Sequence, residues 1–409
     1  MKIAVLKETA AHENRCAISP DTVKKYVALG VDVKIEKGAG EASSISDATL
    51  KDAGATIAAS AKKACEGADV VLCVQAPDDK KLEAIPDSAL LVGMLAPLDP
   101  DSDLSRYPMQ TFAMEMLPRI SRAQSMDVLS SQSNLAGYRA VIDAVYQFGK
   151  VVPMMMTAAG TVPPARILVL GAGVAGLQAI ATAKRLGAVV SAFDVRPAVK
   201  EQVESLGAKF VEVESDETEA AETKGGYAKE MSEDYKRKQS ELIHETLKTQ
   251  DVCISTALIP GKEAPELITE AMLKDMKDGS IVVDLAVASG GNCRSSEADK
   301  IVEKHGVQLI GYTNMPSRAA VDASPLYARN LFNFVSTLMV DKESKELNVL
   351  WDDELIQGTL LTKDGDVVHQ GVLELRSKGK KTVKKAVKKP KEDETTEAED
   401  AKEEASDDE

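Results

Sequence analysis

Gly171, Gly173 and Gly176 follow an apolar segment at 167–170 and precede a segment with helical character. In this G-x-G-x-x-G spacing the first glycine permits a sharp turn, and the second lets a pyrophosphate approach the backbone. The third lets the helix pack closely on the strand. The helix N-terminus would add free N–H groups and the positive end of a dipole. The segment therefore predicts a strand, a phosphate-binding turn and a helix that hold a dinucleotide, although a glycine-rich turn in another kind of α/β domain has the same composition.

An acidic residue stands at the position where such a unit contacts a ribose. Asp194 ends the next apolar segment, about 20 residues after Gly176. Its carboxylate would accept a hydrogen bond from a ribose 2′-OH and would repel a 2′-phosphate, so NAD(H) is favoured over NADP(H). Arg196 lies two residues further on and is a side chain that tolerates a 2′-phosphate. We give Asp194 more weight because it lies at the strand end itself.

Two successive series of apolar segments alternate with helical segments, which is typical of parallel α/β folds. We therefore expect an α/β fold with two Rossmann-like, doubly wound parallel-sheet domains. The predicted strands are Ile3–Leu6, Val31–Ile35, Val70–Val74, Leu90–Leu95 and Thr111–Met114, and then Ile167–Leu170, Val189–Phe193, Phe210–Val213, Val252–Thr256, Ser280–Leu285 and Val307–Tyr312. Predicted helices include Asp21–Leu29, Asp47–Ala53, Leu129–Phe148 and Leu326–Val340, and a hairpin is predicted over Glu354–Val368.

The composition changes sharply after residue 376. Residues 378–391 hold eight lysines and no acid, and residues 392–409 hold eleven acids and one lysine. Neither block has enough apolar surface to fold. We expect a discontinuous N-terminal domain over 1–138 and 327–376, a nucleotide-binding domain over 139–326, and a disordered charged tail over 377–409.

Charge and composition exclude several classes of function. The net charge of −15 and the 4% aromatic content argue against nucleic acid as a partner. The five cysteines are isolated and the four histidines form no metal-ligand pattern, so we expect reduced thiols and no metal site. The longest uncharged stretch, Ile167–Ala183, contains the three glycines and is shorter than a membrane span. We expect a soluble chain without a signal peptide.

Three further segments have residue types suited to a binding site. The polar loop at 115–130 contains Arg119, Gln124, Asp127 and Ser130, which suit a carboxamide and a ribose, but Ser125 or Asp127 would equally cap the helix that follows. Residues 225–227, Gly-Gly-Tyr, suit a mobile flap or a plain loop. Residues 284–292 follow a strand end, where a ligand or simply a tight turn is expected.

Together these motifs closely resemble the NAD(H)-binding component of proton-translocating NAD(P) transhydrogenases. The resemblance covers about residues 1–370 and rests on the 119–130 loop, the Gly-Tyr pair at 226–227, Asp284-Leu-Ala-Val and Asn314-Met-Pro-Ser-Arg318. The alanine dehydrogenases of the wider family share the Lys7-Glu8 and Arg15 region. Where that family uses a lysine, a histidine and an aspartate for its substrate, this chain has Gln75, Ala96 and Ala288. Because reduction of an imino acid requires a proton donor and a carboxylate anchor, oxidation of an amino acid is not expected.

The resemblance implies roles for particular residues. It implies that Arg119, Gln124, Asp127 and Ser130 form the catalytic set: Arg119 and Asp127 at the nicotinamide end, Gln124 bridging to a partner's nucleotide, and Ser130 at the carboxamide. The implied cofactor-binding residues are Arg119, Ile120, Ser121, Arg122, Gln124, Gly171, Gly173, Val174, Gly176, Asp194, Val195, Arg196, Gly226, Tyr227, Gln239 and Leu258. Hydride would pass directly between two nicotinamide rings, which requires aligned approach and no side-chain acid or base.

The resemblance also implies partners. NAD(H) would be held here, NADP(H) would be held by a partner subunit, and a membrane-spanning subunit would conduct protons. A homodimer is expected, in the cytoplasm and peripheral to the inner membrane through those partners. Two alternatives stay open: an alanine dehydrogenase-like enzyme, and a non-catalytic NAD-binding module.

Overall fold

A computed structural model describes residues 1–99, 102–213, 231–259 and 261–376. Helices and strands alternate along these residues. The strands are β1 (Lys2–Val5), β2 (Asp32–Glu36), β3 (Thr56–Ala58), β4 (Val70–Gln75), β5 (Leu90–Met94), β6 (Gln110–Ala113), β7 (Met155–Thr157), β8 (Gly160–Val162), β9 (Arg166–Leu170), β10 (Val189–Phe193), β11 (Lys209–Val211), β12 (Val252–Ser255), β13 (Ile281–Asp284), β14 (Ile301–Lys304), β15 (Val307–Ile310), β16 (Leu360–Lys363) and β17 (Asp366–Val367). The α-helices are α1 (Pro20–Ala28), α2 (Asp47–Asp52), α3 (Ala61–Cys65), α4 (Asp79–Leu82), α5 (Val128–Gln147), α6 (Val174–Arg185), α7 (Lys200–Ser205), α8 (Glu233–Leu247), α9 (Glu270–Asp275), α10 (Ala320–Leu338) and α11 (Glu354–Thr359).

The first sheet has the order β17-β16-β6-β5-β4-β1-β2-β3. Strands β1 to β6 are parallel, whereas β16 and β17 add an antiparallel edge next to β6. Alternate residues of β1 and β4 enter two different hydrophobic clusters: Ile3 and Leu72 belong to one, and Ala4 and Val71 to the other. Both faces of the sheet are therefore covered, as a doubly wound fold requires.

The second sheet has the order β11-β10-β9-β12-β13-β15-β14. All of its pairs are parallel except the antiparallel edge pair formed by β14 and β15. The strand order reverses between β9 and β12, because the chain first builds outward to β11 and then returns to the other side of β9. A reversal of this kind leaves a crevice at the carboxyl ends of the strands, where doubly wound proteins bind ligands.

Helices α5 and α10 pack against each other and connect the two sheets. Helix α5 also lies very close to α6, since a Cβ atom at Gly137 would lie 1.9 Å from the carbonyl oxygen of Ala175. Near the end of α5, Asp143 accepts hydrogen bonds from Nε and Nη2 of Arg318 at 2.7 and 3.1 Å. The long helix thus forms one wall of the crevice and is held to the second sheet along its length.

The predicted fold class, two Rossmann-like doubly wound sheets, is confirmed by both strand orders. Most predicted strands lie within one or two residues of the observed ones. Two short edge strands, β3 and β14, were not predicted, because each has only three or four residues, which is too short for a clear apolar pattern. The connection between α5 and β9 contains the hairpin β7–β8, which was also not predicted.

Two other predictions need correction. The predicted hairpin over Glu354–Val368 is a hairpin only in its second half, because α11 occupies 354–359 before β16 begins. The helix predicted to begin at Leu326 begins at Ala320 and continues past Pro325. Pro325 is the sixth residue of this helix, so it removes one backbone hydrogen bond that an N–H there would form, yet the helix continues past it and the proline is a poor marker of the helix start.

The predicted disordered tail, 377–409, lies outside the described residues. The domain boundaries at 138/139, 326/327 and 376/377 stay predictions. Within the described ranges, none of the helices has both the length and the apolar character needed to cross a bilayer.

Candidate functional site

A cleft of about 1150 Å³ opens at the carboxyl ends of the strands of the second sheet. It is lined by residues that follow β9, β10, β12, β13 and β15, and by the start of α5 on the opposite side. Its position is the reversal point between β9 and β12, where the topology alone predicts a ligand. The predicted site residues that line it are Arg119, Ser130, Gly171, Gly173, Val174, Asp194, Val195, Arg196, Gln239 and Leu258.

The three glycines have three distinct environments. Gly171 has a positive φ of 93°, and a Cβ atom at Gly176 would lie 1.8 Å from the carbonyl oxygen of Gly171. These two positions therefore exclude any side chain. A Cβ atom at Gly173, by contrast, would meet no atom of the described chain within 4 Å. The space beside Gly173 is open towards the cleft.

Gly173 is also the N-cap residue of α6 and supplies no side chain to cap the helix. The first N–H groups of α6 consequently have no side-chain capping partner and, like those of any helix, carry a partial positive charge. An uncapped helix N-terminus beside open space suits a phosphate group.

Asp194 is buried, and its carboxylate is already fully engaged. Its oxygens accept hydrogen bonds from the backbone N–H of Ala172 at 2.7 Å and from the backbone N–H of Arg196 at 2.9 Å. The guanidinium of Arg196 donates two more, from Nε at 2.9 Å and from Nη2 at 2.8 Å. A carboxylate has about four acceptor positions, so a ribose hydroxyl would have to replace one of these donors. Asp194 additionally fixes the glycine turn through Ala172.

The loop before α5 was interpreted from its sequence either as part of a binding site or as a helix N-cap. The structure supports both interpretations. Asp127 is the N-cap of α5 and accepts a hydrogen bond from the backbone N–H of Ser130 at 2.9 Å. The hydroxyl of Ser130 donates to the other carboxylate oxygen of Asp127 at 2.5 Å. Ser130 is one of the residues that line the cleft. Because its hydrogen is engaged, the hydroxyl oxygen is left as an acceptor.

The other residues of this loop are not all gathered at the cleft. Arg119 is exposed and lines it. Ser121 and Gln124 are exposed on a short 3-10 helix over Ser121–Met126, and Ile120 packs on the core of the first sheet. Arg122 forms a bidentate ion pair with Asp353, at 2.7 and 2.8 Å, and also contacts Glu354. Arg122 is therefore held by α11 and its N-cap, on the side of the first sheet.

Two predicted residues cannot be placed. Gly226 and Tyr227 lie outside the described residues, as does the whole predicted flap. Gln239, on α8, and Leu258, after β12, do line the cleft, and 46% of Leu258 is exposed.

A large part of the cleft wall was not predicted. Apart from Leu258, which was predicted, it comprises residues 256, 257, 259, 261–263 and 265–267, which follow β12, and residues 312, 313, 315 and 316, which follow β15. The signal that would have found them is their position at the carboxyl ends of strands, a criterion applied beforehand only to Asp284–Asn292. That segment proves to be mainly a tight loop, of which Leu285 and Ser289 reach the cleft.

A buried polar cluster lies next to the cleft, at the carboxyl edge of the first sheet. Arg15 is 4% exposed and donates to both carboxylate oxygens of Glu13, from Nε at 2.8 Å and Nη2 at 2.6 Å, and to Oε1 of Gln132 at 2.9 Å. Glu13 also accepts from Gln75 and from Asn314, at 2.6 and 2.9 Å. Burial opposes ionisation of Glu13, but these donors, Arg15 foremost, lower its pKa. The guanidinium of Arg15 is thus committed to partners within the chain.

Two further carboxyl groups of this edge have raised pKa values. Burial raises the pKa of Glu8 to about 7, although Glu8 accepts from the backbone N–H groups of Val74 and Gln75. Burial likewise raises the pKa of Glu115 to about 7. Glu115 accepts from the backbone N–H of Ala96 at 2.7 Å, while its second oxygen, Oε2, has no partner among the described residues. An unpartnered, buried oxygen favours the protonated carboxyl.

Known families and proteins match this chain over most of its length. Residues 4–136 match the family described as alanine dehydrogenase/PNT, N-terminal domain, and residues 140–370 match alanine dehydrogenase/PNT, C-terminal domain. The protein named as the first part of NAD(P) transhydrogenase subunit alpha in Rhodospirillum rubrum is 56% identical over 377 residues, covering 90% of this chain and 98% of that protein. The protein of the same name from Rickettsia prowazekii is 46% identical and covers 90% and 96%.

Solved structures show the same similarity. A transhydrogenase from Sinorhizobium meliloti superposes with a TM-score of 0.78 at 46% identity, covering 91% of this chain and 100% of that one. An L-alanine dehydrogenase superposes with a TM-score of 0.76 at 25% identity, covering 92% and 99%. The fold is therefore common to both branches and does not by itself distinguish them.

Replacing Glu115 by glutamine should change how stability depends on pH. Because the pKa of Glu115 is higher in the folded chain than in the unfolded chain, the folded state keeps a proton that the unfolded state loses between about pH 4.5 and 7. Its contribution to stability is complete below pH 4.5 and declines as the pH rises through 7. The thermal midpoint of Glu115→Gln relative to wild type should rise by roughly 2–4 °C from pH 5 to pH 8.

The exposed Glu83 provides a control, since Glu83→Gln should show no such trend. If the amide at position 115 itself lowers the thermal midpoint, it does so equally at every pH. It therefore does not affect how the difference between variant and wild type changes with pH. A difference between Glu115→Gln and wild type that is flat from pH 5 to pH 8 would show that Glu115 is ionised in the folded chain.

Proposed function

The chain belongs to the alanine dehydrogenase/PNT family, and we propose that it is the NAD(H)-binding component of a proton-translocating NAD(P) transhydrogenase. The observation that carries the proposal is a dinucleotide-type cleft beside which the one inherited substrate-binding arginine, Arg15, already donates three hydrogen bonds to Glu13 and Gln132. Such a cleft can hold a nucleotide but offers no anchor for the carboxylate of a small substrate. The hydride acceptor must then come from another subunit.

The start of α6 is the proposed pyrophosphate site. The open space at Gly173 admits a phosphate to the N–H groups of the first turn, and Val174 lies exposed at the same place. Gly171 and Gly176 hold the strand and helix together beneath it. This arrangement uses the backbone alone, so no cationic side chain is needed for the phosphates.

Asp194 and Arg196 form the proposed adenosine-ribose site. Their ion pair stands where the ribose hydroxyls of NAD(H) would bind, with Val195 between them. A ribose hydroxyl would replace an N–H donor of Arg196 on the carboxylate of Asp194. Since Asp194 stays bound to the backbone of Ala172, the exchange would leave the glycine turn in place.

The nicotinamide end is proposed to lie at Arg119, Asp127 and Ser130. Asp127 fixes the hydroxyl of Ser130 so that its oxygen accepts, which suits the NH₂ group of a carboxamide. Bound NADH supplies a hydride from its nicotinamide ring to NADP⁺ on the partner, giving NAD⁺ and NADPH without release of a proton. The task of this chain is to hold one ring at a fixed place in a site that excludes water. Gln124, exposed next to this region, is proposed to reach the partner's nucleotide.

The partners follow from the relatives. Those proteins are named as part of an alpha subunit, so we propose that this chain assembles with an NADP(H)-binding subunit and a membrane-spanning, proton-conducting subunit, on the cytoplasmic side of the inner membrane. We also propose a homodimer. Analytical ultracentrifugation of the isolated chain tests this, and a sedimenting species of 43.7 kDa at micromolar concentration would refute it.

The alternative of an alanine dehydrogenase-like enzyme lacks support in the site. Gln75, where that family has a lysine, donates to Glu13, and Ala96 and Ala288 carry no proton donor. Oxidation of NADH with pyruvate and ammonia, at rates typical of an enzyme, would nevertheless establish it.

Gly173→Ala should separate nucleotide binding from folding. The new methyl group meets nothing in the chain, and φ at this residue, −77°, suits alanine, so the thermal midpoint should stay within a degree or two of wild type. The methyl group would instead occupy the space proposed for the pyrophosphate, and NADH affinity should fall roughly tenfold or more. NADH fluorescence and thermal unfolding measure the two effects. Gly176→Ala is the matched control and should destabilise the chain, and an unchanged NADH affinity of a folded Gly173→Ala would contradict the pyrophosphate site.

Asp194→Asn should abolish the preference of the chain for a ligand that carries the adenosine 2′-hydroxyl. Wild type should bind NADH more tightly than an NADH analogue that lacks the adenosine 2′-hydroxyl, by roughly five- to tenfold for one charge-assisted hydrogen bond. In the variant the two ligands should bind with nearly equal affinity, because the charged acceptor is gone. The comparison of two ligands cancels any change in the glycine turn. If the variant still prefers NADH by the wild-type factor, Asp194 does not contact that ribose.

Gln124→Asn should slow hydride transfer without weakening the binding of NADH. The side chain is exposed on the loop beside the cleft, so shortening it by one methylene group leaves the NAD(H) site intact. The rate of transfer to an NADP(H)-loaded partner should fall roughly tenfold or more if Gln124 aligns the two nucleotides. Ser125→Ala, an exposed neighbour on the same loop, is the control and should retain the wild-type rate. A normal rate for Gln124→Asn would remove the bridging role.

A further inference from the structure

The segment Asp284–Asn292 ends in a buried amide that is hydrogen-bonded to one wall of the cleft. Asp284 ends β13 and is fully buried. Its carboxylate accepts hydrogen bonds from the backbone N–H groups of Ala286, Asn292 and Cys293 at 2.9, 3.2 and 3.0 Å. These bonds fold the chain after β13 back on itself. At the turn, a Cβ atom on Gly291 would lie 2.7 Å from a carboxylate oxygen of Asp284, so only glycine fits. The loop therefore places Asn292 at one fixed position inside the second domain.

All four hydrogen-bonding positions of the Asn292 amide are used. Its oxygen accepts from the hydroxyl of Ser255 at 2.7 Å and from the backbone N–H of Ala257 at 3.2 Å. Its nitrogen donates to the carbonyl oxygens of Ala257 and Pro265, at 2.9 and 2.8 Å. Asn292 is fully buried, and only an amide offers two acceptor and two donor positions in this geometry.

The backbone of Asn292 adds two bonds to the same segment. Its carbonyl oxygen accepts from the N–H groups of Leu267 and Ile268, both at 2.9 Å. The side chain of Asn292 thus hydrogen-bonds to the beginning and the middle of this segment, at Ala257 and Pro265. Its main chain hydrogen-bonds to the end of the segment. This segment follows β12 and contributes much of one cleft wall: residues 257–259, 261–263 and 265–267.

The middle of the wall has other contacts to the same loop: the N–H of Ala264 donates to the carbonyl oxygen of Ser289 at 2.7 Å, and Arg294 contacts Ala264 and Glu263. Among the described residues between β12 and α9 there is no helix or strand, and one isolated bridge joins Ile268 and Cys293. Asn292 differs from the other contacts because it holds the beginning, the middle and the end of the wall. Asn292 itself does not line the cleft. We propose that Asn292 is a positioning residue for the bound nucleotide, which sets the shape of the 257–267 wall through its four side-chain hydrogen bonds. The inference rests on the proposed binding of NAD(H) in this cleft.

The test compares NADH affinity with folding in a graded set of variants. Asn292→Ala removes all four side-chain bonds, and Ser255→Ala removes one of them from a residue that is itself fully buried and outside the cleft lining. Thr362→Val is the matched control, because it breaks a buried side-chain hydrogen bond to Thr111 in the first sheet, away from the cleft. Dissociation constants are measured from NADH fluorescence, well below the thermal midpoint of every variant.

Asn292→Ala should weaken the binding of NADH roughly tenfold or more, and Ser255→Ala should weaken it by a smaller, measurable factor of about two to three. Thr362→Val should lower the thermal midpoint with no change in NADH affinity. If Asn292→Ala or Ser255→Ala lowers the midpoint but binds NADH like wild type, Asn292 is only structural and the inference fails. If Asn292→Ala does not fold, the Ser255→Ala result decides alone. Absence of NADH binding by the wild-type chain would instead refute the proposed function, and the inference with it.

Discussion

The contact between Gly171 and Gly176 constrains the rest of the nucleotide cleft. With 1.8 Å between the carbonyl oxygen of Gly171 and the position of a Cβ atom at Gly176, the strand β9 and the helix α6 can meet only as bare backbone. This approach sets the N-terminus of α6 at the reversal point of the sheet and leaves the space at Gly173 open. Asp194 reaches the same turn through Ala172, and α5 packs on α6 at Gly137. The start of α6, Asp194 and α5 are therefore positioned relative to one backbone contact.

The second constraint is electrostatic and decides which chemistry the cleft supports. Arg15 and Glu13 are buried together, and a buried ion pair is tolerable only when its remaining hydrogen-bonding positions are satisfied. Gln132, Gln75 and Asn314 supply those partners from α5, from β4 and from the loop after β15. In this chain Arg15, Glu13 and these three residues form a network that is closed within the chain, next to the cleft. That closure is consistent with a chain that holds one nucleotide and leaves the hydride acceptor to a partner.

The sequence predicts local features better than features that depend on contacts between distant segments. The strand–turn–helix around Gly171 and the acid at 194 could be read directly, because each depends on residues close together in the chain. The sequence did not reveal that Arg196 occupies the carboxylate of Asp194, nor that Arg122 is bound by Asp353 instead of lying at the cleft. The position of residues 257–259 and 261–267 after a strand follows from the sequence, but their hydrogen bonds to Asn292, a residue of another loop, do not. Pairings between distant segments follow from tertiary packing, which periodicity and spacing do not encode.

The most direct test of the account is a cyclic hydride-transfer assay. The purified chain is mixed with an NADP(H)-binding transhydrogenase domain, a catalytic amount of NADPH, excess NADH and an acetylpyridine analogue of NAD⁺, and reduction of the analogue is followed. The account predicts rapid reduction that requires both proteins and NADPH, since this chain holds the NAD(H) side and the partner shuttles the hydride. No reduction with both proteins present, although NADH binding by this chain is demonstrated in the same buffer, would contradict it.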